Sequence, residues 1–302
     1  MVEISASMVK ELRDKSGAAM MDCKKALVEA AGDFEKAFEW LRQKGVAVAN
    51  KKSSRAASEG LVVAEVSPDG KVGAIVEVNC ETDFVARNDE FKNLANELVK
   101  LVLTNKPKDV DAFLAQKAKS GTVKELITEA VAKTGENMMV RRLEVFELGG
   151  ENGIVGLYVH SLGGKMGALL ELAATSKVDA DKLAPIAREI AMHVVSAKPQ
   201  YLTREAVPAD IIENERRIES GKADLAEKKA EMRDKIVQGR VDKIISERCL
   251  SEQPFVKDPS QSVSKYLAAK GKELGTELKP VRYALFILGE SGADQPEANG
   301  KD

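Results

Sequence analysis

The sequence predicts an α+β protein, and three features predict it. Apolar residues recur at helical spacing through the first stretch, residues 1 to about 45. Short β-branched runs then alternate with helical patterns. One of these runs, Gly70–Val78, recurs as Gly164–Leu172, so the core should consist of two related α+β halves with antiparallel sheets. At 302 residues the chain exceeds one ordinary core. We expect a helical domain at about 1–45, a linker at 46–59, and core subdomains at 60–149 and 150–288. The second core half carries an inserted helical hairpin at about 209–248 and a helical module at about 262–276, and a flexible tail follows at 289–302.

The first helix places Met8, Val9 and Leu12 on one side, with Ser7 as its N-cap. After Ser16–Met21, a second helix starts near Asp22 and turns Cys23, Ala26, Leu27 and Ala30 inward. A third buries Phe34, Ala37, Phe38 and Leu41, and Gly45 is a natural C-terminal stop. So small a domain has a marginal core, which should depend heavily on Phe34, Phe38 and Leu41. Residues 46 to 59 read as a linker, in part helical, and its basic run Lys51-Lys52-Ser53-Ser54-Arg55 reads as a solvated tether rather than a nucleic-acid site.

Leu61–Val66, the turn Ser67-Pro68-Asp69-Gly70 and Lys71–Asn79 form a β-hairpin with a type I turn. Helices are expected at about 88–103, 110–118 and 123–134, then a strand at 138–148. In the repeat, Gly70, Lys71, Gly73, Ala74 and Glu77 coincide with Gly164, Lys165, Gly167, Ala168 and Glu171. An amphipathic helix follows each copy, but the first copy's connection is two residues longer. That connection runs Cys80-Glu81-Thr82-Asp83-Phe84-Val85-Ala86-Arg87-Asn88. A lone Phe is more often core than surface. Yet where the first copy reads Thr82-Asp83-Phe84, the second reads Ser176-Lys177-Val178, a weak substitute for a large core ring. The asymmetry favours a working loop, and loops on a rigid frame often carry function.

Past Pro199, which disfavours helix at the residue before it, the segment 209–248 is rich in charges of both signs. It reads as two helices joined near Ser220-Gly221, with a narrow apolar seam of Ile211, Ile212, Ile218, Leu225, Met232, Ile236 and Val241. Mixed signs suit a solvated arm or a protein contact. The hairpin either self-associates into a homodimer or simply projects. Gln253–Gln261 forms an extended loop, a helix spans about 262–274, and Val281–Leu288 is the last strand.

Composition narrows the function. Charged residues make up 31% and aromatics only 4%, with 46 basic against 48 acidic residues and a net charge of −2. Neither a base-stacking nor a phosphate-neutralising surface is expected, so no nucleic-acid partner. No apolar run reaches membrane-spanning length, and the N-terminus resembles no presequence, so a cytoplasmic protein is expected. Three scattered cysteines, Cys23, Cys80 and Cys249, suit a reducing compartment. His160 and His193 lack partners at metal-ligand spacing, and no GxGxxG, GxxxxGK[ST] or GxSxG occurs. Gly163–Gly167 is a hairpin turn rather than a phosphate loop, which would have to open a helix. Cys80 ends an apolar strand and reads as a structural thiol. No metal, cofactor or covalent catalysis is expected.

Four motifs carry a family resemblance. Leu12-Arg13-Asp14-Lys15-Ser16-Gly17-Ala18-Ala19-Met20-Met21-Asp22-Cys23-Lys24-Lys25-Ala26-Leu27 and Glu77-Val78-Asn79-Cys80-Glu81-Thr82-Asp83-Phe84-Val85-Ala86 resemble signatures of the translation elongation factor Ts family. His193-Val194-Val195-Ser196-Ala197-Lys198-Pro199 and Gln253-Pro254-Phe255-Val256 match it too, in order along the chain. Ser16 and Ala19 depart from its commoner Thr and Gly. The resemblance implies a guanine-nucleotide exchange factor for elongation factor Tu, with a ubiquitin-associated-like helical domain at the N-terminus. It implies that Thr82, Asp83, Phe84 and Val85 form the exchange loop, with Phe84 wedging between helices of the GTPase and disturbing its Mg²⁺ site. It further implies partner contacts from Arg13, Met20, Met21, Lys24, Met166, Gly167 and His193, and from the helix near 262–274. A rival reading is a binding module whose three-helix domain takes ubiquitin-like proteins or RNA, with the core as a dimerisation scaffold. Accelerated GDP release from the GTPase separates the two.

Overall fold

The computed structural model describes residues 4–119, 121–161, 163–225 and 229–290; the expected tail lies largely outside them, from residue 291 on. Among the described residues the architecture is mixed, with helices, two three-stranded sheets whose second strand in chain order lies in the middle, and a two-stranded ribbon. The described residues divide into two compact units. One holds the chain up to Val63 together with Val76–Leu143; the other holds Ala64–Ile75 and the chain from Glu144.

In the first unit, α1 (Ala6–Ser16), α2 (Met20–Glu29) and α3 (Phe34–Lys52) enclose a small core of Val9, Leu12, Cys23, Ala26, Leu27 and Ala37. The N-cap of α1 is Ser5 rather than Ser7: its hydroxyl accepts from the Met8 N–H at 3.3 Å. Asp33 caps α3 by accepting from the Glu35 and Lys36 N–H groups. Two further expectations fail here. Phe38 is exposed, while Phe34 and Leu41 are partly buried against the core. Gly45 does not stop α3, which runs on to Lys52. Gly45 is buried, and a Cβ there would stand 3.2 Å from the Cβ of Ala132 in α7 (Val123–Thr134). Close helix packing against α7, not a chain break, explains this glycine.

Strands β1 (Glu59–Val66) and β2 (Val72–Cys80) form the hairpin, closed by the Gly70 N–H donating to Ser67 O at 2.8 Å. All of β2 beyond Val72 is buried, so it is the sheet's central strand. Then come α4 (Asp83–Arg87), α5 (Asp89–Asn105), α6 (Val110–Leu114), α7 and β3 (Met138–Glu147). Helix α5 buries Phe91, Leu94, Ala95, Leu98, Val99 and Val102 on one face, as the 3.6-residue period requires. A Thr122–Glu125 capping box opens α7, and Gly135 in the left-handed region ends it.

In the second unit, β4 (Gly153–Val159) pairs antiparallel with β5 (Met166–Ala174), and β5 with β8 (Leu278–Ile287). Helix α8 (Ala180–Ala197) supplies Leu183, Ile186, Ala187, Ile190, Ala191 and Val194 to the core of this half. Helices α9 (Ala209–Ser220) and α10 (Ala230–Arg248) pack side by side. Their cluster contains Leu225, Val241 and the partly buried Ile211, Ile212 and Ile236, whereas Ile218 and Met232 of the expected seam are exposed. The expected loop after Gln253 contains a small ribbon, β6 (Pro254–Phe255) with β7 (Asp258–Ser262). Helix α11 (Val263–Leu274) follows and leads into β8.

Candidate functional site

The stretch that follows β2 is not an open loop. Asp83–Arg87 forms the one-and-a-half-turn helix α4, and Thr82 is its N-cap, accepting from the Val85 N–H at 3.3 Å. Asp83 in the first turn forms an ion pair with Arg87 at 2.9 Å. Ala86 is the inward residue of α4, and Phe84 points away, 81% exposed. Exposing a whole benzyl group forgoes about 1.5–3 kcal/mol of burial free energy. Its repeat counterpart Val178 is partly buried against the core of the second half. The contrast expected from the sequence is therefore present: one half turns its residue in, the other turns it out.

A set of polar contacts fixes the base of α4. The Thr82 N–H donates to Glu136 Oε2 at 3.1 Å, and the Thr82 hydroxyl donates to Glu136 Oε1 at 2.8 Å. Next door, Glu81 Oε1 accepts from the Asn137 N–H at 2.6 Å, and Arg55 lies 3.4 Å from Glu81 Oε2. The Asn137 contact, helped by Arg55, holds the Glu81 carboxyl below the usual carboxylate range. The Cys80 thiol donates to Thr82 O at 3.2 Å. Burial, with the Glu136 carboxylate nearby, pushes that thiol up to about 12, so Cys80 is no nucleophile near neutral pH. Sequence reasoning missed Glu136 and Asn137: they lie more than fifty positions from their partners, and nothing in the local pattern links them.

Other expected contact residues fall into two groups. In the first unit, Arg13 and Lys24 are exposed, and Met20 and Met21 open α2 with 51% and 74% exposure. Bare methionines on a polar surface are adaptable apolar contacts. In the second unit, Met166 is partly buried at the start of β5, and Gly167 is buried between Val159 and Phe286 of the flanking strands. His193 departs from expectation. It is fully buried, with Nδ1 accepting from the Val256 N–H at 3.1 Å and Nε2 at 2.9 Å from Gln253 Oε1. A side chain so enclosed cannot touch a partner directly in this conformation; it instead ties α8 to the β6–β7 ribbon. Among the described residues, no group of three or more His, Cys, Asp or Glu side chains could hold a metal ion, and no helix is long and apolar enough to cross a membrane.

The Elongation factor TS family model matches residues 81–290, which include α4 and both sides of the Thr82–Glu136 contact. Similarity to curated proteins extends over nearly the whole chain. Elongation factor Ts of Nostoc sp. is 44% identical over 305 residues, covering 99% of this chain and 96% of the relative. Elongation factor Ts of Trichlorobacter lovleyi is 42% identical, covering 98% of this chain and 96% of the relative. That of Nautilia profundicola is 45% identical over 96% of this chain and 94% of its own length. Family model and relatives agree, and the chain belongs to the elongation factor Ts family.

Proposed function

We propose that the chain is a guanine-nucleotide exchange factor for elongation factor Tu, acting in translation elongation in the cytoplasm without covalent catalysis. Phe84 carries the reading: a large apolar ring, 81% exposed on a capped and anchored helical turn, whose repeat counterpart faces inward. In this reading Phe84 wedges between helices of the GDP-bound GTPase, with Thr82, Asp83 and Val85 beside it, and displaces the Mg²⁺ that holds the nucleotide phosphates. The exposed Arg13, Met20, Met21 and Lys24 of a ubiquitin-associated-like N-terminal domain grip the GTPase. Met166, at the start of β5, adds a contact from the second core half with the buried Gly167 shaping the strand behind it, and helix α11 adds another.

Magnitudes favour a distributed grip. Burying one Phe contributes about 1.5–3 kcal/mol. A nucleotide bound at nanomolar strength holds about 12 kcal/mol, and moving it from mostly bound to mostly free takes about 5.5 kcal/mol of differential affinity. The wedge supplies part of this, and the remaining contacts must couple to it. Coupling is reciprocal, so incoming GTP weakens the factor's hold by the same ratio and releases it.

Release of fluorescent GDP from elongation factor Tu, with and without this protein, tests the reading. The wild type should accelerate release, and Phe84→Ala should lower that rate about ten- to a hundredfold, the kinetic equivalent of one lost ring contact. Acceleration that survives Phe84→Ala unchanged overturns the wedge; no acceleration by the wild type overturns the function.

A further inference from the structure

The chain's internal repeat supplies a control for the anchoring of α4. In the second half, the residue that corresponds to Thr82 is Ser176, and the one that corresponds to Glu81 is Thr175. On the other side of the contact, α7 and α11 both end in a left-handed glycine, Gly135 and Gly275. Glu136 thus corresponds to Thr276, and Asn137 to Glu277. The hydrogen bonds correspond too. Where the Thr82 N–H donates to Glu136, the Ser176 N–H donates to Thr276 Oγ1 at 3.1 Å. Where the Asn137 N–H donates to Glu81, the Glu277 N–H donates to Thr175 Oγ1 at 3.0 Å. One reciprocal clamp is therefore built twice, joining the strand end to the exit of a helix.

The two copies differ in chemistry. The second uses hydroxyls at both acceptor positions; the first uses carboxylates at both. A hydroxyl acceptor has a proton of its own to place, whereas a carboxylate only accepts and can take two donors at once. Glu136 does so, receiving both the N–H and the O–H of Thr82. Because the single hydroxyl proton of Thr82 is committed to Glu136, its lone pairs are left for the Val85 N–H that starts α4. Charge-assisted bonds are also the stronger kind. Asn137 extends the clamp, its Nδ2 donating to Arg55 O at 2.8 Å just past α3.

We propose that Glu136 is the positioning residue of the exchange tip: by holding both donors of Thr82 it sets the direction in which α4 presents Phe84. Glu136 touches no partner in this role and acts through Thr82. The carboxylate version of the clamp stands in the half that displays its aromatic residue, and the hydroxyl version in the half whose Val178 turns inward.

This inference rests on the exchange reading above, and the experiment separates the two. GDP release is measured against factor concentration for the wild type and for Glu136→Ala, Glu136→Gln, Glu136→Thr and Phe84→Ala. Glu136→Ala should lower the saturating rate about tenfold while the half-saturating concentration moves little, because the other gripping residues are intact. Glu136→Gln, which keeps one accepting oxygen, should fall between, and Glu136→Thr, which installs the second half's acceptor, should recover part of the rate. In hydrogen exchange, Glu136→Ala should deprotect the peptide spanning Thr82–Asn88 and leave β2 and α5 protected. Loss of α5 protection as well would mean general unfolding; Glu136→Gln, nearly the same shape, then decides by the same two readouts. If Phe84→Ala abolishes acceleration while the Glu136 variants match the wild type in saturating rate, the positioning role is overturned and the exchange reading stands. If the wild type accelerates nothing, both are overturned.

Discussion

Arg142 Nε donates to Glu77 Oε2 at 2.7 Å, and Arg282 Nε donates to Glu171 Oε2 at the same distance. Both glutamates are buried on the central strand of their sheet, and each arginine comes from the strand that returns beside it. The glutamates were visible in the sequence as matching positions of the repeat; their common partner was not. Removing one member of a buried pair costs about 3–5 kcal/mol; here the partly exposed arginines, Arg141 at 4.0 Å from Glu77 and the Gly149 N–H on Glu171 put the loss at or below the lower end of that range. Arg142→Met and Arg282→Met should each lower the urea midpoint accordingly. Glu77→Leu combined with Arg142→Met should recover most of the loss, because paired apolar replacements remove both charges. A double variant no more stable than the single one contradicts this account.

A second recurrence concerns the first strand of each half. Gly60 and Gly153 have φ of +145° and +142°, where side chains are rarely tolerated. A Cβ at Gly60 would stand 2.0 Å from Val78 O, and one at Gly153 would stand 2.4 Å from Leu172 O. Both atoms belong to backbone, so neither can move aside alone. Gly60→Ala and Gly153→Ala should each cost at least about 2–3 kcal/mol. Thermal unfolding should show a drop for both, and a substitution at either site that leaves the midpoint unchanged rules out the crowding.

How much of this was legible depends on where the information sits. The Gly-Lys-x-Gly-Ala run, the turn at Ser67–Gly70 and the α5 stripe are local patterns, and the structure reproduces each. The outward Phe84 was legible because the repeat supplied Val178 for comparison. Gly45 misled because a helix-ending glycine and a helix-packing glycine look alike until Ala132, far along the chain, is placed beside it. His193 misled because a motif match says nothing of burial. Glu136 and Asn137 escaped altogether: long-range contacts between a strand end and a helix exit leave no periodic trace.

The cysteines give a chemical test of the same packing. All three are free and buried. With its thiol pushed up to about 12 by burial and the neighbouring Glu136 carboxylate, Cys80 would be ionised in about one molecule in ten thousand at pH 8. Cys249 is raised to about 11, chiefly by burial. Native protein should therefore react slowly with a disulfide reagent, and denatured protein should release three equivalents. Cys80→Ser, which retains a donor toward Thr82 O, should keep its exchange activity. Rapid labelling of Cys80 in the native state would contradict the burial, and loss of exchange on changing Cys80 to Ser would reopen a chemical role for the thiol.

His193 predicts how stability depends on pH. Its Nδ1 accepts from the Val256 N–H, so the ring must be neutral with its proton on Nε2, facing Gln253 Oε1. Burial lowers its pKa below the ordinary 6.5, a shift opposed by the Gln253 contact. The unfolded chain then takes up a proton near 6.5 while the folded chain resists until lower pH. Between those two values the unfolded state binds more protons, so stability is complete above about 6.5 and declines as pH falls through this window. One such group can contribute a slope of at most about 1.4 kcal/mol per pH unit. His193→Gln should lower stability at pH 7.5, since a buried network is disturbed, yet its curve should be flatter than the wild type's between pH 6.5 and 5. Urea midpoints across that range measure the slopes, and an NMR titration of the His193 ring should give a midpoint below 6.5. Parallel curves for wild type and variant, or a ring that titrates at or above its ordinary value, would show that burial and the Val256 contact do not hold the imidazole neutral.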